Sequence, residues 1–127
     1  LAASALRAAY ARRSRAAFGV MTSSARNWCE PERLKEWGAY DPTWLVDIAR
    51  THRPDRPWLA EALSKCRTAF WESRAYVAFV NQSNPNAPGS LWQFQENVIL
   101  EQTGEGTLVL DVLVGERIGG VEFLSRL

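Results

Sequence analysis

The sequence predicts an α+β fold in which N-terminal helices pack on one face of a C-terminal, three- to four-stranded antiparallel meander. Three observations predict it. Between residues 42 and 70 apolar residues recur at three- and four-residue spacing, whereas after Tyr76 they alternate or run in short β-branched stretches. The segment NQSNPNAPGS, residues 81–90, separates the strand-like runs and is too dense in Asn, Pro, Gly and Ser to be anything but a loop.

The opening LAASALRAAYARRSRAAFGVMTSSA is rich in Ala, Arg and Ser and free of acids, a composition shared by organelle transit peptides and by plain arginine-rich helices. A helix is the favoured reading, with residues 1–20 either processed or peripheral. No continuous apolar stretch follows the charges, as a secretory signal requires. Glu30-Pro31 then opens a short helix through Trp37, which Gly38 ends. Asp41-Pro42 reads as an N-cap followed by proline at the first helical position, starting a helix from Pro42 to about Thr51. Its apolar stripe is Trp44, Leu45, Ile48 and Ala49. THRPDRP, residues 51–57, breaks the chain twice. The next helix starts at Pro57, capped by Asp55 or Arg56, carries Leu59, Leu63, Cys66 and Phe70, and ends near Ser73.

YVAFV, residues 76–80, is short, β-branched and aromatic, and reads as a strand or as the last turns of the preceding helix, the strand being the favoured of the two. After the loop come three strands: Leu91 to Gln102, Thr107 to Val114 and Arg117 to Ser125. Thr103-Gly104-Glu105-Gly106 joins the first two, and Gly115-Glu116, glycine first, suits a two-residue type II′ hairpin. The two-residue period puts Leu108, Leu110, Val112 and Val114 on one face, the first three toward the helices, with Val109, Asp111 and Leu113 on the other. Pairing Val114 with Arg117 would set Asp111 opposite Gly120, with Glu122 on the same face and Glu101 nearby, unless a bulge at Gly119-Gly120 shifts the register.

The 127 residues suit one domain, residues 1–127, with residues 21–74 its helical part and 75–127 its meander. The composition, 46% hydrophobic and 23% charged, is that of ordinary soluble proteins, and no apolar run reaches the ~20 residues of a membrane helix. Cys29 and Cys66 lack a CxxC spacing, which implies buried small apolar groups in a reducing compartment rather than a disulfide framework or a zinc site. Most of the six tryptophans are expected in the core.

Charge is sorted along the chain. Residues 1–29 carry Arg7, Arg12, Arg13, Arg15 and Arg26 and no acid, while residues 77–127 carry Arg117 and Arg126 against six acids. No GxSxG, HExxH, GxGxxG or phosphate-cradling loop is present, and the single histidine, His52, sits in a proline-rich break as a surface or capping group. No catalytic, cofactor-binding or metal-binding residue is therefore assigned, and no cofactor is expected. The acids Glu96, Glu101, Glu105, Asp111, Glu116 and Glu122 read either as a solvated sheet face or as an acidic docking face for a protein; basic residues cluster away from the sheet, against direct nucleic-acid binding there.

The stretch from Trp71 to Leu127, above all WQFQENVILEQTGEGTLVLDVL followed by RIGGVEFL, resembles the C-terminal half of small bacterial proteins encoded beside polymorphic toxins, including immunity proteins of contact-dependent growth-inhibition systems. The resemblance covers less than half the chain, and no functional residue is carried over from it. It implies a cytoplasmic, non-enzymatic protein that binds and neutralises a basic, nuclease-like toxin domain and needs no membrane. Two alternatives belong to other classes. One is a structural subunit of a larger, even organellar, assembly; the other is a small enzyme using Asp111 and Glu122 as paired carboxylates.

Overall fold

Asp41 starts a helix through its side chain. Its Oδ1 accepts hydrogen bonds from the Thr43 amide at 3.0 Å and the Thr43 hydroxyl at 2.7 Å, satisfying a donor that the first turn leaves open. In the computed structural model, which describes residues 28–127, this helix, α1, spans Thr43–His52. It buries Leu45, Val46, Ile48 and Ala49, with Trp44 half-buried, and stops one residue before Pro54, where the ring disfavours a helical predecessor. Expectations about residues 1–27, including the first helix, lie outside the described residues.

The second helix, α2, spans Trp58–Ser64 and buries Leu59, Ala60, Ala62 and Leu63. The expected continuation to Ser73 does not form. Thr68–Ser73 is a strand, β2, whose Ala69 and Trp71 point inward while Thr68 and Glu72 stay exposed. The helical spacing of Cys66 and Phe70 was coincidental: the β-branched and aromatic run TAFWES finds strand partners on both sides, and tertiary pairing overrides a short helical pattern. The expected helix from Glu30 to Trp37 is also absent. Lys35 takes a left-handed backbone (φ 58°) that interrupts any helix, and its amide donates to the Trp71 carbonyl at 2.7 Å. The chain then enters a three-residue strand, β1, Trp37–Ala39.

The remaining strands are β3 (Tyr76–Ala78), β4 (Phe94–Gln102), β5 (Gly106–Leu113) and β6 (Arg117–Phe123), followed by a 3-10 turn over Leu124–Arg126. They form one antiparallel sheet in the order β1-β2-β3-β6-β5-β4. The architecture is thus α+β as expected, but the sheet has six strands rather than three to four, because β1 and β2 come from the part read as helical.

Both helices lie on one face of this sheet. Leu108, Leu110 and Val112 of β5 point toward them and are fully buried, as the two-residue period predicts, together with Leu100, Val121, Phe123 and Val77 from neighbouring strands. Aromatic rings fill the layer between. Trp28 stacks on Trp44 with centroids 3.5 Å apart, Trp71 stacks on Phe123 at 5.7 Å, and the Tyr40 hydroxyl donates to the Trp28 carbonyl at 3.0 Å.

The β5–β6 hairpin departs from the two-residue turn. Leu113 pairs with Arg117, leaving Val114, Gly115 and Glu116 as the loop, and both Gly115 (φ 89°) and Glu116 (φ 55°) are left-handed, whereas type II′ needs only the first so. A bulge then restores the expected pairing: Val112 faces Ile118, but Asp111 faces Gly120, so Gly119 is the extra residue.

The central position of Leu110 makes it a direct test of this inner layer. Leu110→Ala should cost about 2–5 kcal/mol, read as a lowered urea midpoint with an unchanged slope, while Val114→Ala on the exposed loop should leave the midpoint within error.

Candidate functional site: the outer face of the sheet

Residues that point away from the helices compose a second face. Register connects one row of it across all six strands: Trp37 pairs with Phe70, Phe70 with Ala78, Ala78 with Gly120, Gly120 with Asp111, and Asp111 with Asn97. The row is aromatic at one edge, small in the middle and polar at the other edge.

The small middle is occupied by Tyr76. Its ring lies across Gly120, where a Cβ would collide with the ring carbon Cζ at 2.7 Å, and its hydroxyl donates to Asp111 Oδ2 at 2.6 Å. Gln82 Nε2 donates to the Tyr76 oxygen at 3.1 Å, and Asn97 Nδ2 donates to Asp111 Oδ1 at 2.6 Å and to the Leu110 carbonyl at 3.3 Å. Burial first, and then the hydrogen bond to Asp111, hold the Tyr76 phenol above its ordinary pKa. Asp111 therefore accepts from both neighbouring side chains and ties β3, β5 and β4 together. This is the work of a cross-strand link, and it accounts for an acid among leucines and valines.

The six acids expected to form one docking face do not share a face. Glu101 and Glu122 do lie on the outer face with Asp111, because Glu101 pairs with Thr107 and Glu122 with Val109. Glu96 pairs with Val112 and so sits on the helix side, where Arg56 from the α1–α2 connection donates to its Oε1 at 2.6 Å and holds the carboxyl below its ordinary pKa. Glu116 is at the exposed hairpin tip.

Glu105 is the clearest correction. It was expected on an exposed turn, yet its side chain is only 2% exposed and forms a 2.8 Å ion pair with Arg126, itself 7% exposed. Gln102 Oε1 accepts from the Gly104 and Glu105 amides and curls this turn under the sheet's end. The Arg126 guanidinium also donates to the Arg74 carbonyl at 3.0 Å and lies 4.3 Å from the centre of the Phe123 ring. The pair closes the core where the chain ends its last strand. Sequence carries no sign of it, since the two residues are 21 positions apart.

One outer-face acid was missed. Glu72 of β2 is exposed and, like Glu101 and Glu122, makes no ion pair among the described residues. Its face could have been read from the alternation in TAFWES. Among the described residues the only Lys or Arg on a strand is Arg117, and its guanidinium donates to the Val114 and Leu91 carbonyls. Exposed apolar side chains, Trp37, Phe94 and Ile99, share the face.

His52 is exposed at the end of α1. No group of three or more His, Cys, Asp or Glu among the described residues is placed to hold a metal ion, and no helix among them is long and apolar enough to cross a membrane. Both cysteines are free and buried. Compared with protein-family models, with curated proteins and with solved structures, the chain matches none of them.

Two predictions follow from the buried groups. Glu105→Gln should cost about 3–5 kcal/mol, because it leaves the Arg126 charge buried without its counter-charge; a variant as stable as the parent in urea would place Glu105 at the surface. Burial pushes the Cys66 thiol up to about 12, and burial followed by the nearby Glu105 and Glu30 charges pushes Cys29 to about 11. Unfolded thiols ionise near 9, so between pH 9 and these values the folded chain holds more protons and stability falls as pH rises; below 9 the contribution is fully present. Urea midpoints should therefore drop between pH 8.5 and 10.5, Cys66→Ala should flatten part of that drop, and iodoacetamide should label the native thiols far more slowly than the unfolded ones.

Proposed function

We propose that the chain is a non-catalytic binding protein whose outer sheet face docks a basic protein domain, and that the partner is a toxin of the nuclease-like kind implied by the C-terminal resemblance. The observation that carries this is the charge sorting of the sheet. Glu72, Glu101 and Glu122 stand on one face without ion pairs among the described residues, and Arg117, the only strand cation among them, donates to carbonyls at its end. Exposed Trp37, Phe94 and Ile99 supply apolar area among these charges, the mixture that interface patches use. A nucleic-acid-binding domain presents the complementary sign, so the acids would steer encounter while the aromatic and aliphatic side chains hold the complex. Cover of the partner's active surface would then suffice for neutralisation, with no bond made or broken. A cytoplasmic setting belongs to the same reading.

Glu101 and Glu122 lie two strands apart, roughly 10 Å across the sheet, too far to share one cation but suited to a broad basic patch. The test joins growth and kinetics. The chain should restore growth to cells expressing the toxin domain of the neighbouring gene, and Glu101→Lys/Glu122→Lys, folded by circular dichroism, should abolish protection and slow association about tenfold or more at low salt. A folded double variant that protects as well and associates as fast as the parent would remove the outer face from the mechanism.

A further inference from the structure

Where β1, β2 and β3 meet the loop after Ala78, the outer face sinks into a cleft of about 360 Å³. Trp37 and Phe70, cross-strand partners with ring centroids 5.5 Å apart and planes 48° open, wall one side. Ala78 lines it as a small residue, Glu72 contributes the one charge, and Gln82 and Ser83 of the loop close the other side. No cation lines it. Gln82 is held in place by its bond to Tyr76, so that wall is fixed to the cross-strand network.

We infer that this cleft receives an arginine side chain of the basic partner. The inference rests on the docking reading above and adds its anchor. A guanidinium is planar, weakly hydrated and able to lie against an indole or phenyl face while its edge donates two parallel hydrogen bonds to a carboxylate. Trp37 and Phe70 supply the faces, and Glu72, on the same strand as Phe70 and two residues further along, supplies the acceptor with no ion pair among the described residues to be broken first. A lysine ammonium would meet the charge but not the plane or the fork. The volume stands at the small end of ligand pockets, roughly 300–1,000 Å³, and so suits one inserted side chain. Trp37 belongs to an edge strand of three residues and is 46% exposed, so its free ring edge is open to an approaching chain. An arginine seated there places the rest of a basic surface over the sheet, toward Glu122 and Glu101.

The probe is N-acetyl-arginine N-methylamide, titrated into the full chain and followed by the Trp37 indole N–H and the Phe70 and Glu72 amides in two-dimensional NMR. Saturable shifts confined to these signals are expected. The uncharged citrulline analogue should produce none, the lysine analogue should bind several-fold more weakly, and Glu72→Gln and Trp37→Leu should each weaken the arginine probe about two- to fivefold, the range of an exposed cation–π contact. Both positions are exposed, and unchanged signals from Leu110 and Phe123 will show that the variants remain folded. No shift with arginine, equal shifts with citrulline, or equal affinity for lysine would each overturn the assignment, as would Trp37 signals that move with protein concentration alone, which would make a second copy the occupant. A failed titration alongside intact protection from the toxin would remove the anchor and leave the docking face standing; a successful one alongside a fully protective Glu101→Lys/Glu122→Lys variant would do the reverse.

Discussion

The register of the β5–β6 hairpin decides which side chains the rest of the molecule has to work with. A slip of one residue would exchange Leu108, Leu110 and Val112 for Val109, Asp111 and Leu113 on the buried face. The three-residue loop at Val114–Glu116 produces such a slip at its own end, and the extra residue Gly119 cancels it before Asp111. Both glycines of the pair are needed, for different reasons. A Cβ on Gly119 would come within 2.6 Å of the Trp92 ring, which folds over it and Leu113; a Cβ on Gly120 would strike Tyr76 and the Val77 carbonyl. One glycine admits the long loop's tryptophan and the other admits the tyrosine that reaches Asp111, so the bulge also locates the polar network.

Once the register is set, the two faces follow different chemistry. Inside, leucine, valine and stacked aromatic rings exclude water, and the single buried acid is matched by Arg126. At the β4 edge, which no further strand among the described residues covers, the connection between α1 and α2 supplies arginines: Arg56 pairs with Glu96, and Arg53, held by Asp55 at 2.9 Å, reaches the Ile99 carbonyl. Placing charge along an open edge is how sheets avoid pairing with other chains. The opposite edge is blunted by being only three residues long.

Strong periodicity was legible and weak periodicity was not. The α+β class, the inward face of β5, the long loop at residues 81–90 and the start of α1 could all be read, the last to within one residue because Pro42 is the N-cap rather than the first helical residue. The stretch from Arg67 to Ser73 obeyed two rules at once. Its apolar residues continue the helical spacing of Leu59 and Leu63 and also alternate as a strand, and only the partners waiting on either side decided between them. Lys35 is a different case, since a left-handed lysine is not written in any pattern and depends on the Trp71 carbonyl that its amide reaches. Of the outer face, Glu101, Asp111 and Glu122 were readable from alternation, whereas Glu72, Phe70 and Trp37 were hidden by the mistaken helices.

The acidic character of residues 77–127 is a fact about sequence, and a partner senses only the charge that remains after the chain has used its own. Glu96 and Glu105 are each matched by an arginine from a distant segment, and Asp111 is held by Tyr76 and Asn97. A carboxylate paired with a cation within the fold projects little field beyond a Debye length of about 8 Å at physiological salt, so Glu96 and Glu105 add little to steering, whereas Asp111 meets only neutral donors and has no counter-charge among the described residues. What remains is Glu116 at the exposed hairpin tip and, on the outer face, Glu101 and Glu122 beside Asp111, joined there by Glu72 from outside the acidic stretch. Charges gathered mostly of one sign on one surface give a partner a direction of approach that a larger count scattered over both faces would not.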